Sequence, residues 1–137
     1  MTKNLMQPTT DQVRAFRDRA TGQPVQMLNL LKFKAAASYE AGDETKLSGQ
    51  EAYQLYVAGF RRVMEPKGCR VLFSGDARGF LIGEGEGDWD AVLLIEYPST
   101  QVMLDMFRDE DYQAVQIHRV AALEGQLLIE CGSEFKV

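Results

Sequence analysis

The sequence predicts an α+β protein of ferredoxin-like topology, with the order β-α-β-β-α-β and a four-stranded antiparallel sheet. This order emerges when apolar strand-like runs and helical stripes are followed along the chain and a short N-terminal helix is set aside. The first strand, residues 25–33, has apolar side chains at both alternating positions, so both faces of the sheet need cover. Helices on one side cover only one face. We therefore expect two copies to pair sheet to sheet as a dimeric α/β barrel.

An extra helix is predicted before the first strand. Thr9 and Gln12 have the spacing of a capping box, and Thr21-Gly22 ends the short apolar stripe that follows. The chain of 137 residues has the length of one domain. We expect a single domain over residues 1–137, with a helical extension at 1–22 and the core at 24–132.

The helices of the core have clear start and stop signals. Ser48 and Glu51 form a second capping-box pattern, and Glu65-Pro66 ends the helix. Its apolar residues share one helical face and are Tyr53, Tyr56, Val57, Phe60, Val63 and Met64. The other core helix is predicted in two pieces, because Ser99 and Asp109 each supply a cap.

The remaining strands lie between turn signals. We expect a strand pair or one bent strand over 69–75 and 79–83, and further strands at 89–97 and 126–131. Residues 83–88 alternate glycine with acidic residues and predict a turn. Residues 35–47 are small and polar and predict a loop, which either covers a pocket or, as is commoner, is mobile.

Composition excludes several functional classes. A net charge of −5 without a Lys/Arg cluster argues against nucleic acid as a partner. No apolar run is long enough to cross a membrane, and the N-terminus lacks a signal-peptide pattern, so we expect a cytoplasmic protein. Cys69 and Cys131 are then reduced thiols, and a single histidine, His118, does not make a zinc site. We expect no metal and no cofactor.

Two polar side chains are predicted in apolar surroundings. Asn29 lies in the middle of the first strand, where its amide either bonds a neighbouring loop or orients a ligand carbonyl or carboxylate. Arg119 shares a helix face with Tyr112, Val115 and Ala122. A guanidinium there needs an anion, either an internal carboxylate such as Glu86 or Glu96 or an anionic ligand.

Four further residues are weaker candidates for a site. His118 is either a surface histidine or a group for proton transfer near neutral pH. Trp89 either closes the core at the start of its strand or stacks on a ligand ring. Tyr53 and Tyr56 fit the core stripe of their helix, although their hydroxyls could also line a cavity.

Several short segments resemble the family known as domain of unknown function 1330. They are Met27-Leu28-Asn29-Leu30, Glu86-Gly87-Asp88-Trp89, Ile95-Glu96-Tyr97-Pro98-Ser99 and Tyr112-Gln113-Ala114 followed by Arg119. The resemblance covers roughly Pro24 to Gly132. It implies membership of the dimeric α/β-barrel superfamily and leaves the activity open. The N-terminal helix and the loop after Phe33 exceed the compact core of that family.

One branch of that superfamily, the haem-degrading monooxygenases, provides a further comparison. Asn29 fits its strand asparagine. When the helices are aligned on Tyr112, however, Met106 occupies the position of the tryptophan and Gln116 that of the haem-ligating histidine. His118 then points to a different side of the helix. We expect no haem bound through a histidine.

These observations predict a small-molecule-binding protein. In one hypothesis it is a cofactor-independent enzyme of isomerase, lyase or oxygenase type that acts on a carboxylate- or carbonyl-bearing metabolite. Asn29 and Arg119 would hold the ligand, Trp89, Tyr53 or Tyr56 would pack it, and His118 would transfer a proton. In the alternative hypothesis the protein is a non-catalytic homodimer with a ligand-sensing or structural role.

Overall fold

The computed structural model describes residues 7–40, 42, 46–85 and 89–137. Helices and strands follow one another in the predicted order. The elements are α1 (Thr10–Asp18), β1 (Val25–Phe33), α2 (Gly49–Met64), a 3-10 turn (Glu65–Lys67), β2 (Arg70–Asp76), β3 (Ala91–Tyr97), α3 (Thr100–Met106), α4 (Glu110–Ala122) and β4 (Leu123–Cys131).

The four strands form one sheet in the order β2-β3-β1-β4, and all neighbouring strands are antiparallel. The two strands that follow the crossover helices therefore lie at the two edges, which is the arrangement of a split βαβ unit. The ferredoxin-like topology predicted from the order of elements is confirmed. The additional helix α1 is also confirmed.

Both faces of β1 are apolar, as its sequence predicts. Met27 and Leu31 are buried beneath the helices, whereas Leu28 and Leu30 are half-buried on the opposite side. Cross-strand neighbours extend this second surface across the sheet. We call it the helix-free face; its apolar residues are Leu28, Leu30, Phe73, Val92, Leu94, Leu127 and Ile129.

The predicted caps begin the helices. The Thr9 hydroxyl accepts from the Gln12 N–H at 3.1 Å, and the Ser48 hydroxyl accepts from the Glu51 N–H at 3.0 Å. In both capping boxes the side chain of the later residue also accepts from the backbone N–H of the cap residue. Ser99 and Asp109 likewise cap α3 and α4 through their side-chain oxygens.

The long helices α2 and α4 pack closely because of one glycine. A Cβ atom added at Gly59 would lie 2.5 Å from Cγ1 of Val115. The absence of a side chain at this position lets the two helices approach. Together they cover the sheet face that carries Met27 and Leu31, and Phe60 and Met64 of α2 fill the layer between.

The sequence prediction of a strand at 79–83 is wrong. Residues 77–85 contain no strand, and the backbone turns at Gly79 and Gly83, whose φ angles are 152° and 89°. Those conformations suit glycine and interrupt a ladder. Of the predicted turn at 83–88, the last three residues lie outside the described part of the chain.

None of the described helices is long and apolar enough to span a membrane.

Candidate functional site

A cavity of about 870 Å³ lies between α2 and the half of the sheet formed by β2 and β3. Its inner wall includes Tyr53 and Val57 of α2, and its floor includes Leu31 and Leu93 of the sheet. The volume falls within the range of sites that bind small molecules. Its polar and charged lining side chains are Lys34, Ser48, Gln50, Tyr53, Gln54, Arg61, Ser74, Asp76 and Asp90.

Tyr53 is the most buried polar side chain of this wall. Its ring packs between those of Phe33 and Tyr56, with centroid distances of 5.6 Å and 5.2 Å. Burial raises the pKa of Tyr53, and this effect is larger than the opposing effect of the Arg119 guanidinium, which lowers that pKa. The phenol therefore stays protonated and is a hydrogen-bond donor at neutral pH.

The charged groups of the cavity lie nearer its opening. Arg61 is half exposed and pairs with Glu65 at 2.7 Å. Asp90 accepts a hydrogen bond of 2.7 Å from the backbone N–H of Phe33, which fixes its carboxylate beside the end of β1. Asp76 ends the edge strand β2, where it pairs with Ala91 of β3. The cavity therefore combines cations and carboxylates at its rim with an apolar and phenolic interior.

Asn29 and Arg119 lie on the same side of the sheet and are joined by Gln126. Arg119 donates to the Gln126 side-chain oxygen from Nε at 3.1 Å and from Nη2 at 2.7 Å. The Gln126 amide nitrogen donates to Oδ1 of Asn29 at 2.7 Å. The Asn29 amide nitrogen donates to the carbonyls of Leu93 at 3.1 Å and Met27 at 3.3 Å. We call this series of bonds the amide relay.

The structure excludes one of the two internal partners that the sequence offered for Arg119. Glu96 is not its partner, because it lies on the helix-free side and accepts from Arg70 at 2.6 Å and from Gln26 at 2.8 Å. Those bonds lower the pKa of the Glu96 carboxyl. Glu86 lies outside the described residues. Gln126 is one partner of Arg119 and not the sole one.

Tyr56 faces the interior between α2 and α4. Its hydroxyl and that of Tyr112 share a hydrogen bond of 2.9 Å, and both rings are buried. Burial raises the pKa of both phenols. Tyr56 therefore joins the two helices, and it is not among the residues that line the cavity.

His118 and Trp89 also lie apart from the lining residues. The half-buried His118 is bonded through Nδ1 to the Tyr39 hydroxyl at 2.6 Å, which links α4 to the segment between β1 and α2. A second hydrogen bond joins that segment to α4: the Ser38 N–H donates to the carbonyl of Ala121 at 3.0 Å. Trp89 is half-buried just before β3.

Sequence reasoning missed Gln126 and most of the cavity lining. Gln126 was placed at the start of the last strand, and its position before an apolar run was the available signal. Arg61, whose side chain is 53% exposed, also lines the cavity. Ser74 and Asp76 line the cavity because their face of β2 turns toward α2. The irregular pairing between Val71 and Phe73 determines which face of β2 does so.

The described residues hold no group of three His, Cys, Asp or Glu side chains suited to a metal ion. Cys69 is buried and Cys131 is half-buried, and both are free thiols. Burial raises the pKa of Cys69 to about 11, so this thiol is protonated at neutral pH and a poor nucleophile.

A family model and two solved structures at more than 30% identity agree with the fold, and their descriptions state no activity. A family model described as domain of unknown function (DUF1330) matches residues 37–132. The RPA0582 protein of unknown function from Rhodopseudomonas palustris is 31% identical; its crystal structure superimposes with a TM-score of 0.86 over 98% of this chain and 100% of that one. The methylated RPA0582 protein gives 34% identity and a TM-score of 0.86 over 96% of each chain.

A more distant structure shares the fold alone. The hydroxynitrile lyase of Passiflora edulis is 11% identical and superimposes with a TM-score of 0.57, over 85% of this chain and 100% of the lyase. Among curated proteins, none matches the sequence.

Proposed function

The chain belongs to the domain of unknown function 1330 family, and we propose that it binds a small carboxylate- or carbonyl-bearing metabolite in the cavity beneath α2. The observation that carries this proposal is the placing of a buried phenol, Tyr53, on the inner wall of a cavity of about 870 Å³. Ligand sites combine an apolar lining with a few polar groups that fix orientation, and this cavity has that composition.

The polar groups suit an oxygen-rich ligand. Tyr53 offers a neutral O–H donor inside, and Lys34 and Arg61 add positive charge at the rim. A ligand carboxylate or carbonyl oxygen accepts hydrogen bonds from such groups. Val57 and Leu93 then contact its carbon skeleton.

In its finer form, the proposal is that the protein is a cofactor-independent enzyme of isomerase, lyase or oxygenase type. His118 stays the predicted group for proton transfer. Asn29 and Arg119 stay the predicted groups that hold the ligand, and neither is among the residues that line this cavity. The contact between His118 and Tyr39 supports a coupling of α4 to the segment that begins at Lys34, a lining residue. Replacing His118 by Asn, once a substrate is identified, should abolish turnover and leave substrate binding intact.

We also propose that the protein forms a homodimer through the helix-free face. Helices leave this apolar surface uncovered, and Phe73 and Ile129 on it are 57% and 45% exposed. A second copy of the same face would cover it symmetrically. The Arg70–Glu96 pair on this side would then lie within or beside the interface.

Ligand binding is testable by thermal unfolding of the protein with acetate, butyrate, benzoate, acetone and acetophenone. We expect some of these acids or ketones to raise the melting temperature at millimolar concentration, because a molecule that binds only the folded state stabilises it. Tyr53→Phe should remove most of this increase.

Tyr97→Phe is the matched control, since Tyr97 is also buried on the helix-covered side of the sheet but does not line the cavity. It should keep the ligand-induced increase. If none of the five compounds stabilises the protein, or if both variants respond like the unchanged protein, the cavity is not a site for this class of ligand.

A further inference from the structure

We propose that the cavity beneath α2 takes a linear oxo acid, whose carboxylate binds Arg61 at one end and whose carbonyl binds Tyr53 toward the other. This inference rests on the proposed function for the place where the ligand binds. It adds the class of ligand: one charged and one neutral oxygen group, separated by an apolar chain.

The cavity is elongated along α2. On the sheet side, β2 lines it from Val71 to Asp76, which is about 16 Å of extended strand. On the helix side, the lining residues have helical spacing and span about 16 Å of helix rise. They are Gln50, Tyr53, Gln54, Val57, Ala58 and Arg61. The two walls therefore give the cavity the same length, and its ends can be considered separately.

The end where α2 begins carries two carboxylates. The Gly49 N–H donates to the carbonyl of Lys34 at 3.0 Å, which places the start of α2 beside the end of β1. Asp90 lies at this end, because its carboxylate accepts from the Phe33 N–H. The N–H of the residue after Asp76 donates to the Asp90 carbonyl at 3.0 Å, so the two aspartates are neighbours. Both line the cavity, and they disfavour a further negative charge here.

The other end of the cavity carries a cation. Arg61 lies in the last turn of α2 and lines the cavity, whereas Glu65, which accepts from its Nε at 2.7 Å, does not. Among the described residues, no other side chain bonds to this guanidinium, so its two terminal nitrogens remain donors. A carboxylate accepts two parallel hydrogen bonds from such a pair of donors. The negative group of a ligand is therefore expected at Arg61.

A neutral carbonyl suits the end nearer the aspartates. Tyr53 offers a protonated phenol there, and the Lys34 ammonium is a second donor. A carbonyl oxygen accepts from both groups without bringing a charge toward Asp76 and Asp90, so it is favoured over a carboxylate. Tyr53 and Arg61 are eight residues apart on α2, a rise of about 12 Å. The two oxygen groups of the ligand should accordingly lie about 10 Å apart.

The middle of the cavity is apolar. Val57 lies on α2 between Tyr53 and Arg61, and Leu93 of β3 lies on the floor. An alkyl chain that connects the two oxygen groups would be removed from water between these side chains. A short acid or ketone can reach one end only, whereas a chain of about eight carbon atoms reaches both.

The test compares four ligands of equal chain length by calorimetric titration: 8-oxononanoate, nonanoate, 2-nonanone and nonanedioate. We expect 8-oxononanoate to bind about tenfold more tightly than nonanoate or 2-nonanone, each of which lacks one oxygen group. It should also bind more tightly than nonanedioate, whose second carboxylate meets the two aspartates. 4-Oxopentanoate carries the same two groups on a chain too short for both ends and should bind no more tightly than pentanoate.

Three variants assign the ends. Arg61→Gln should weaken 8-oxononanoate and nonanoate about tenfold and leave 2-nonanone unchanged. Tyr53→Phe should weaken 2-nonanone and 8-oxononanoate. Asp76→Asn should strengthen nonanedioate several-fold and change 8-oxononanoate little. Arg62→Gln is the matched control, because Arg62 is the next residue of the same helix, is exposed and does not line this cavity. It should leave all four affinities unchanged.

Failure of this inference differs from failure of the proposed function. Equal affinities for 8-oxononanoate and nonanoate, or equal effects of Arg61→Gln on nonanoate and 2-nonanone, overturn the assignment of the ends while the proposed site stands. If the nine-carbon ligands do not bind but benzoate or acetone raises the melting temperature, the site takes short ligands and the inference alone is wrong. If no compound of either set binds, the proposed site fails as well.

Discussion

The hydroxyl groups of Tyr56 and Tyr112 share one hydrogen bond inside the layer between α2 and α4. In Tyr56→Phe the buried Tyr112 hydroxyl loses that partner. The free energy of unfolding should fall by about 1–2 kcal/mol, since an unpaired buried hydroxyl costs more than the net value of its bond. Urea denaturation of the unchanged protein and the variant measures the difference.

The double variant Tyr56→Phe/Tyr112→Phe is the control, because it removes both polar groups at once. Its loss in the free energy of unfolding should be smaller than the sum of the losses in the two single variants. Strict additivity would show that the hydroxyls do not interact in solution.

At the scale of single residues, the sequence singled out Asn29 and Arg119 because each is a polar side chain among apolar neighbours. The amide relay joins the two side chains, and their predicted role in ligand binding stays a prediction. Gln126 was missed because its partner Asn29 is 97 residues away in the chain, on the adjacent strand β1. A strand sequence shows which residues alternate, but only the register between strands shows which side chains meet.

Packing of α2 on α4 depends on the missing side chain at Gly59. Gly59→Ala would gain about 1 kcal/mol in helix propensity, but its Cβ would meet Cγ1 of Val115 at 2.5 Å. Overpacking of this kind costs about 1–3 kcal/mol. We therefore expect net destabilisation, measured as a lower midpoint of urea denaturation.

The compensating change Val115→Ala makes room for the new methyl group. In that background Gly59→Ala should be neutral or stabilising, so the two changes should show favourable coupling. An equal loss from Gly59→Ala in both backgrounds would mean that Val115 is not the obstacle.

The start of α4 should contribute a pH-dependent stability. Lys67 bonds to Asp109 and, with the Tyr112 N–H, lowers the pKa of its carboxyl. A carboxyl whose pKa is lower in the folded state than in the unfolded state stabilises the folded protein. This stabilisation is complete above the unfolded-state pKa and is lost as pH falls through the folded-state pKa. Asp109→Asn keeps a capping oxygen without charge, so its stability deficit should shrink below about pH 4.

Urea midpoints of the unchanged protein and Asp109→Asn between about pH 7 and pH 3 measure this trend. Asp105→Asn is a comparison at a carboxylate that bonds Gln101 and has no lysine partner among the ion pairs of the described residues. A deficit of Asp109→Asn that stays constant across this range would contradict the electrostatic account.

Helices were well predicted because their signals are local. The two capping boxes and the caps Ser99 and Asp109 all lie within one turn of the residues they bond. The strand predicted at 79–83 failed for the opposite reason, because apolar residues there satisfy a strand pattern without a partner to pair with. Phe80 and Leu81 are in fact exposed, by 54% and 98%.

The whole molecule should be a dimer in solution if the helix-free face is an interface. Sedimentation at micromolar concentration should give twice the mass of the chain. Ile129→Glu should shift the protein toward monomer, because a carboxylate would be buried against an apolar partner surface.

Leu55→Glu is a matched control, since Leu55 on α2 is 46% exposed and Ile129 is 45% exposed. It should leave the dimer intact. A monomeric unchanged protein, or equal dissociation by both variants, would remove the helix-free face as the interface.

β2 is an edge strand that, among the strands of the described residues, pairs with β3 alone. Its ladder is irregular between Val71 and Phe73. Most of its residues are exposed, whereas β1 is held by strands on both sides. Backbone amides of β2 should therefore exchange with deuterium long before those of β1, through local opening rather than global unfolding. Because Val71 and Ser74 form part of the cavity wall, the same opening would admit ligands, and a bound acid should slow exchange in β2 first.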